Sequence, residues 1–162
     1  MIHFQPVSQD NFDALIDLSV HEDQRGFMEN NLYSIAQASV KKNFNCRGIF
    51  KEDQAIGFMV YYFVEGDPDY VYLHRFMIDK NYQGQGLGRQ ALEKALAYFK
   101  QVFPSIACVE LMYYPDNTAG AALYKTLGFE PTGELRESSP CRHEKGTQDP
   151  NRYVEKVQRF YY

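Results

Sequence analysis

The chain has 162 residues, of which 44% are apolar and 23% are charged, and its formal net charge is −4. This balance is typical of one globular domain, expected to span residues 1–162, and it excludes a chain too polar to bury a core. The basic residues are scattered, which excludes the clustered positive charge typical of a nucleic-acid-binding protein.

The first part of the chain predicts an opening strand followed by two helices. The strand covers residues 2–6, and apolar spacing indicates helices over residues 9–20 and 30–42. The first helix should bury Phe12, Leu15, Ile16 and Leu18, and the second carries Leu32, Ile35, Ala36 and Ser39.

Three strands follow and should form an antiparallel meander. They are predicted over residues 46–50, 55–64 and 70–78, because these runs are rich in β-forming residues and bounded by turn-forming ones. The turns are expected at residues 52–54 and 65–69.

Helices and strands alternate in the next part of the chain. Apolar residues at helical spacing predict a helix that starts near Leu87 and that Pro104 ends, followed by a strand over residues 106–113. Asn117 can cap a further helix, and Gly128 is placed to end it in the left-handed conformation.

The end of the chain completes one mixed α/β domain. A strand should start at Phe129, and a last strand is predicted over residues 152–161. Residues 133–150 are polar and rich in Gly, Ser and Pro, so they predict a long loop. Three roles stay open for this loop: covering a substrate site, mediating a homodimer contact, or neither.

The compartment expected is the cytoplasm. Three cysteines far apart in the sequence disfavour a disulfide framework. The first residues lack the apolar core of a signal peptide. No apolar run approaches the ~20 residues needed to cross a bilayer, so no membrane partner is expected. Cys141-Arg142-His143 supplies two ligand types without a second pair, and we therefore expect no metal site.

The stretch N-Y-Q-G-Q-G-L-G-R-Q, residues 81–90, places three glycines at alternate positions between a predicted strand and a predicted helix. Such a loop offers main-chain N–H groups and the positive end of a helix dipole, which suits a phosphate group. A Cβ atom at the glycines would obstruct close approach of the anion. The stretch therefore predicts an anion-binding loop.

Two other phosphate-binding motifs match this loop less well. A P-loop requires Lys followed by Ser or Thr, whereas this sequence continues Gly88-Arg89-Gln90. A dinucleotide-binding fingerprint requires a third glycine at Arg89, and the preceding strand would have to open a βαβ unit. Glu110 does lie at a suitable distance downstream, so a dinucleotide-dependent oxidoreductase stays as an alternative.

The spacing Gln83-x-x-Gly86-x-Gly88 resembles motif A of the GNAT superfamily of N-acetyltransferases, Arg/Gln-x-x-Gly-x-Gly/Ala. Asn117 followed seven residues later by Tyr124, and then by Gly-Phe, is similar to the second signature of that superfamily. The resemblance implies the GNAT fold, an α/β fold with a central, mostly antiparallel sheet of six to seven strands flanked by about four helices.

The same resemblance implies acetyl-coenzyme A (acetyl-CoA) as co-substrate. The loop amides would hold its pyrophosphate, Asn117 would contact its pantetheine arm, and Tyr124 would lie beside the thioester sulfur. A main-chain N–H of residues 76–78 would donate to the thioester oxygen. The cofactor-binding residues implied are Phe76, Met77, Ile78, Gln83, Gly84, Gln85, Gly86, Leu87, Gly88, Arg89, Asn117 and Tyr124.

The acceptor implied is a small-molecule polyamine or diamine. Residues 71–79 and Tyr82-Gln83-Gly84, together with Gln24, Phe27, Asn31 and residues 36–38, are similar to the bacterial spermine/spermidine acetyltransferases. The amine would attack the thioester directly in a ternary complex. The alternatives are acetylation of another amine, such as an aminoglycoside, an amino acid or a protein terminus, and a non-catalytic acyl-CoA sensor.

Two catalytic residues are expected. Tyr124 can donate a proton or a hydrogen bond to the departing thiolate. A base is useful because an aliphatic ammonium has a pKa of ~10.4, so only about one molecule in a thousand is nucleophilic at pH 7. His74, with an ordinary pKa of ~6.5, is the candidate base, although a packing role fits it equally well. Arg75 should point to the opposite face unless a bulge resets the alternation.

Acidic residues near the break between the first two helices are candidates to bind the cationic acceptor. They are Glu22, Asp23 and Glu29, and Phe27 could add an aromatic face. Asp67 and Asp69 are further acidic candidates, for which turn formation is the alternative, and Tyr33 and Tyr72 are further aromatic ones.

Overall fold

The protein folds around a seven-stranded sheet in this computed structural model, which describes residues 1–64, 66–137 and 154–162. Two 3₁₀ helices, Glu22–Phe27 and Lys80–Tyr82, lie outside the regular elements. The strands and α-helices are, in chain order, β1 (Ile2–Pro6), α1 (Phe12–Asp17), α2 (Asn31–Val40), β2 (Phe44–Lys51), β3 (Gln54–Val64), β4 (Asp67–Ile78), α3 (Leu87–Val102), β5 (Cys108–Tyr113), α4 (Thr118–Thr126), β6 (Glu130–Glu137) and β7 (Val154–Tyr161).

The strand order across the sheet is β1-β2-β3-β4-β5-β7-β6. Every neighbouring pair is antiparallel except β4 and β5, which are parallel because α3 carries the chain from the end of one to the start of the other. The predicted meander of three strands and the expected mixed α/β fold with a mostly antiparallel sheet and four helices are confirmed.

Apolar side chains cover both faces of the sheet. On one face, α3 buries Leu92 and Phe99 against a cluster that includes Tyr61 of β3. On the other face, Leu15 of α1 packs with a smaller cluster that includes Phe58 of β3. Burying large apolar side chains is the main source of stability in such a fold, so α1 and α3 hold the sheet from opposite sides.

A β-bulge interrupts β4 at His74. Val60 pairs with Arg75, whereas the next residue, Tyr61, pairs with Leu73, so His74 is the extra residue on its strand. The bulge resets the alternation, and both His74 and Arg75 project on the side of α2. The Arg75 guanidinium donates to the side chain of Gln37 in α2 at 2.8 Å.

One helix prediction needs correction. Helix α1 is shorter than the predicted residues 9–20, because Leu18 is extended and the main chain at Ser19 donates to the Asp79 carboxylate at 2.8 Å. Helix α2 lies within the predicted residues 30–42, with Asn31 and Ser34 buried and Leu32 52% exposed.

Two loop predictions were wrong in part. The turn expected over residues 65–69 is shorter, since β4 starts at Asp67. The loop expected over residues 133–150 starts too early, since β6 runs to Glu137 and pairs with β7. Residues 138–153 lie outside the described part of the chain.

Candidate active site

A cleft opens where β4 and β5 separate. The pairing of β4 with β5 ends at Leu73 and Leu111, whereas its pairing with β3 continues to Ile78. Beyond Leu73, β4 therefore borders a gap on the side of β5 and not a neighbouring strand. The cleft has a volume of about 180 Å³ and is lined by Val20, Gln24, Phe27, Met28, Phe76, Met77, Ile78, Gln83, Gly84, Gly88, Asn117, Ala119, Gly120, Leu123 and Tyr124.

The glycine loop forms one wall of the cleft and leads into α3. Gly84 and Gly86 have φ values of 74° and 73°, in the left-handed region, and no atom lies within 4 Å of a Cβ built on either residue. Gly86 caps α3 without a side chain, so the first-turn N–H groups of this 16-residue helix receive no side-chain acceptor from it. Open space beside a helix N-terminus fits the predicted binding of a phosphate group.

The side chain of Gln83 makes hydrogen bonds within the protein. Its Nε2 donates to the Ile78 carbonyl at 2.9 Å and to Gln24 Oε1 at 2.8 Å, and its Oε1 accepts from Gln24 Nε2 at 3.0 Å. Both of its N–H donors are thereby engaged. Gln83 shapes the cleft wall in this state and has no free side-chain donor for a ligand.

Four of the residues predicted to bind the cofactor do not line the cleft. Leu87 is 5% exposed and packs in the core. The Gln85 side chain donates to the Asn81 carbonyl at 3.1 Å, and Arg89 pairs with Glu93 at 2.9 Å. Gln85, Gly86 and Arg89 are exposed at the solvent side of the loop. Of these four residues, only the main-chain N–H groups belong to the predicted phosphate site.

Helix α4 supplies the opposite wall. Asn117 caps it as predicted, since its Oδ1 accepts from the Gly120 main chain at 2.9 Å. Tyr124, two turns further along, is 9% exposed, and its ring packs against Tyr113 and Phe129. Burial, with a smaller contribution from the nearby Tyr113, raises the pKa of Tyr124 to about 12. The phenol therefore keeps its proton at any physiological pH.

Some cleft residues were not predicted. Gly120 follows Asn117 and precedes Tyr124 at helical spacing, so the face of α4 could have been extended to it. Val20 and Met28 flank the 3₁₀ helix Glu22–Phe27, whose position over the cleft no sequence pattern indicates.

His74 does not line the cleft. Its ring packs edge-on against Phe44 and Tyr62, with centroids 5.4 and 5.6 Å away, and its Nε2 is buried without a hydrogen-bond partner. Burial, together with the nearby positive charges of Arg75 and Lys41, lowers the pKa of His74 to about 4. The geometry gives the predicted base no contact with the cleft, and the packing role fits its surroundings.

The residues predicted to bind the acceptor lie in three different places. Phe27 lines the cleft, and its ring lies 6.3 Å from that of Tyr114. Glu29, 8% exposed, lines a second cavity. Glu22 and Asp23 are exposed and line neither space, and Glu22 pairs with Arg25 at 3.5 Å.

The second cavity adjoins the cleft. It has a volume of about 360 Å³ and shares Val20, Met28 and Met77 with the cleft. Its lining also includes the acidic residues Asp17 and Glu29 and the basic residue Arg25. The residues that the two spaces share are all apolar.

Among the residues that the structure describes, no helix is long and apolar enough to cross a bilayer. In the same ranges, no three His, Cys, Asp or Glu side chains come together as metal ligands. Cys141-Arg142-His143, for which no metal site was expected, lies outside them.

The sequence and the fold of the chain are similar to those of known proteins. Residues 12–129, well over half of the chain, match the model of the acetyltransferase (GNAT) family. The chain belongs to the GNAT family. It is an acetyl-CoA-dependent N-acetyltransferase.

One relative and two solved structures illustrate the similarity. The spermine/spermidine N(1)-acetyltransferase of Bacillus subtilis (strain 168) is 30% identical over 139 residues, which cover 83% of this chain and 91% of the relative. The ribosomal-protein-S18-alanine N-acetyltransferase of Escherichia coli superposes with a TM-score of 0.70 at 19% identity, over 99% of this chain and 94% of that one.

The second solved structure contains the co-substrate. A GNAT family acetyltransferase from Elizabethkingia anophelis, solved with acetyl-CoA bound, gives a TM-score of 0.69 at 15% identity and covers 99% of this chain and 98% of its own. At these identities the two structures establish the fold.

Proposed function

We propose that this GNAT enzyme transfers the acetyl group of acetyl-CoA to a primary amine of a polyamine or diamine, by direct attack in a ternary complex. One observation carries the proposal: the end of β4, the glycine loop and Tyr124 surround the same cleft. A second cavity that two carboxylates and one guanidinium line shares part of its wall with that cleft.

The cleft residues fit acetyl-CoA in order along its length. The open backbone at Gly84 and Gly86 and the start of α3 would hold the pyrophosphate. The face of α4 that carries Asn117 would contact the pantetheine arm. The co-substrate supplies an activated thioester carbonyl, and a main-chain N–H of residues 76–78 would donate to its oxygen as negative charge develops.

Tyr124 is suited to donate a hydrogen bond. Its pKa of about 12 is far above the ~8.5 of a thiol, so the phenol keeps its proton when a thiolate departs beside it. A buried O–H that stays protonated stabilises the leaving thiolate by hydrogen bonding. We therefore assign Tyr124 this role, and not that of a full proton donor.

The arrangement of the second cavity favours an acceptor with two separated amines. A carboxylate beside the reacting amine would raise the pKa of that amine and keep it in the unreactive ammonium form. Here Asp17 and Glu29 line the second cavity together with Arg25, which pairs with Glu22 at 3.5 Å, whereas the shared wall of Val20, Met28 and Met77 is apolar. A distal ammonium can be held by the acids while burial favours the neutral form of the amine that attacks.

An acceptor panel tests the proposal. The enzyme would be incubated with acetyl-CoA and spermidine, spermine, putrescine or cadaverine, and in parallel with an aminoglycoside and a peptide with a free N-terminus, with mass detection of products. We expect monoacetylated polyamine or diamine with the highest kcat/KM. Acetylation of only the peptide or the aminoglycoside would reject the proposed acceptor, and no product with any amine would favour the acyl-CoA sensor.

A further inference from the structure

Two glutamines far apart in the sequence form a closed pair at the mouth of the cleft. Gln24 Nε2 donates to Gln83 Oε1 at 3.0 Å, and Gln83 Nε2 donates back to Gln24 Oε1 at 2.8 Å, across 59 residues of sequence. The second N–H of Gln83 donates to the carbonyl of Ile78, the last residue of β4. The pair thus connects the 3₁₀ helix Glu22–Phe27 to the end of the strand that borders the cleft.

The same 3₁₀ helix is attached to the other side of the cleft through Phe27. Its ring lies 6.3 Å from that of Tyr114, which directly follows β5. None of the six residues of this helix is buried. Gln24, its third residue, and Phe27, its last, supply contacts to the two sides of the cleft, and Met28 directly after it packs against the smaller apolar cluster.

We propose that Gln24 is a positioning residue that links acetyl-CoA binding to the placement of the acceptor. Gln83 directly precedes Gly84 of the predicted phosphate loop, so a ligand that orders this loop also orders Gln83. The amide pair passes that order to Gln24 and thus to Phe27 and Met28, which line the cleft, and to Glu29 in the cavity beside it. The inference rests on the proposed function, because it assumes that acetyl-CoA occupies the loop and an amine the adjoining cavity.

Kinetics of Gln24 variants test this link. Gln24→Ala removes both hydrogen bonds of the pair, and we expect the KM of the amine to rise about tenfold while the Kd of acetyl-CoA changes less than twofold. Gln24→Glu keeps an oxygen for the Gln83 N–H, so its amine KM should lie between those of the wild type and Gln24→Ala. Gln101→Ala, at an exposed position near the end of α3, is the matched control and should leave both constants unchanged.

Hydrogen–deuterium exchange tests the Gln24–Gln83 pair without any amine. In the wild type, acetyl-CoA should slow exchange of the amides of residues 22–28, and in Gln24→Ala and Gln24→Glu this protection should be reduced. The exchange result depends on the Gln24–Gln83 pair and not on the acceptor, so it remains interpretable even if the acceptor panel rejects polyamines. In that case, KM is measured with the amine that reacts. An amine KM equal to that of the wild type in Gln24→Ala, or unchanged protection of residues 22–28, would overturn the inference.

Discussion

The rings of Tyr113 and Tyr124 meet edge to face with their centroids 5.8 Å apart, but their hydroxyl groups have different surroundings. The Tyr113 hydroxyl accepts a hydrogen bond from the Gln158 side chain at 3.3 Å, whereas Tyr124 lines the cleft. The two residues have similar burial, so one can serve as the control for the other.

Tyr124→Phe should lower kcat by about 10²- to 10³-fold, the typical effect of removing one hydrogen-bond donor from a developing negative charge. The KM of acetyl-CoA should change less than threefold, since the ring and its packing are kept. Steady-state kinetics with saturating amine measures both constants. Tyr113→Phe should leave kcat near the wild-type value, and an equal kcat in the two variants would remove Tyr124 from the mechanism.

Gly88→Ala tests how closely acetyl-CoA approaches the start of α3, without straining the main chain. Gly88 has an ordinary φ, and a Cβ there would meet Ile78 at 3.5 Å and Leu123 at 3.8 Å, which are normal contacts. Alanine should therefore be tolerated in α3 and raise stability by up to about 1 kcal/mol. The added methyl group projects into the cleft, and we expect the KM of acetyl-CoA to rise at least tenfold.

The control for this substitution is Gly66→Ala. Gly66 has a φ of 89° with open space around it and precedes β4 at the end away from the cleft. Alanine should lose about 1–2 kcal/mol of stability there and leave the KM of acetyl-CoA unchanged. Thermal unfolding and kinetics of both variants are needed. A Gly88→Ala enzyme that binds acetyl-CoA normally would show that the cofactor does not approach α3 at this position.

Glu29→Gln and Glu22→Gln compare a carboxylate of the second cavity with an exposed one as contacts for the acceptor. Glu29 is 8% exposed in the cavity, whereas the Glu22 side chain is 88% exposed and paired with Arg25. Loss of a hydrogen bond between charged groups corresponds to about 1.5–3 kcal/mol, so the KM of spermidine should rise roughly 10- to 100-fold in Glu29→Gln. Glu22→Gln should change it less than threefold. The reverse order would place the acceptor along the exposed face of the 3₁₀ helix.

His74 should make the fold sensitive to mild acid. Its pKa is lowered to about 4 in the folded chain, from ~6.5 in the unfolded one, because burial disfavours the imidazolium. The unfolded chain thus takes up the proton first as the pH falls. The contribution of neutral His74 to the free energy of unfolding is complete above pH ~6.5. As the pH falls from ~6.5 to ~4, the free energy of unfolding should decrease by up to about 3 kcal/mol. Urea unfolding of the wild type and of His74→Phe across this range should show a smaller decrease in the variant.

The same variant tests His74 as the base. Proton transfer from an aliphatic ammonium to an imidazole with a pKa near 4 costs a free energy of about 9 kcal/mol. We therefore expect kcat/KM of His74→Phe at pH 8 to fall less than tenfold. A fall of 10²-fold or more, at unchanged thermal stability, would support the predicted catalytic role and contradict the packing role.

The sequence was sufficient to predict elements beside the cleft that local chemistry determines. Asn117 caps α4 with its side chain, as expected. Helix α3, residues 87–102, starts near Leu87 and ends before Pro104, as its apolar spacing and that proline predict. In each case the residue type and its immediate neighbours decide the conformation, so no knowledge of distant contacts was needed.

Features that depend on distant contacts were predicted only in part. The bulge at His74 leaves no mark in the alternation of β4, so the side of Arg75 could be predicted only on the condition that no such bulge occurs. A strand was expected from Phe129, but residues 133–137 of β6 were assigned to a loop because β6 is exposed at six of its eight residues, although Arg136 in it reaches Glu110 of β5. The Gln24–Gln83 pair joins residues 59 apart and follows no periodic pattern. Tertiary packing decides all three.

Glu110 should be the charge on which the edge of the sheet depends most. Its carboxylate is 0% exposed and accepts hydrogen bonds from Arg136 at 2.6 Å and from Arg159 at 2.7 Å, which join β5 to β6 and β7. Glu110→Gln leaves two guanidinium groups against a neutral amide, and removal of one partner of a buried pair lowers stability by about 3–5 kcal/mol. Glu134 contacts the same two arginines but is 46% exposed, so Glu134→Gln should lower it by less than about 1 kcal/mol. Urea denaturation of the two variants measures the difference, and equal losses would mean that the arginines are held by solvent and neighbours rather than by Glu110.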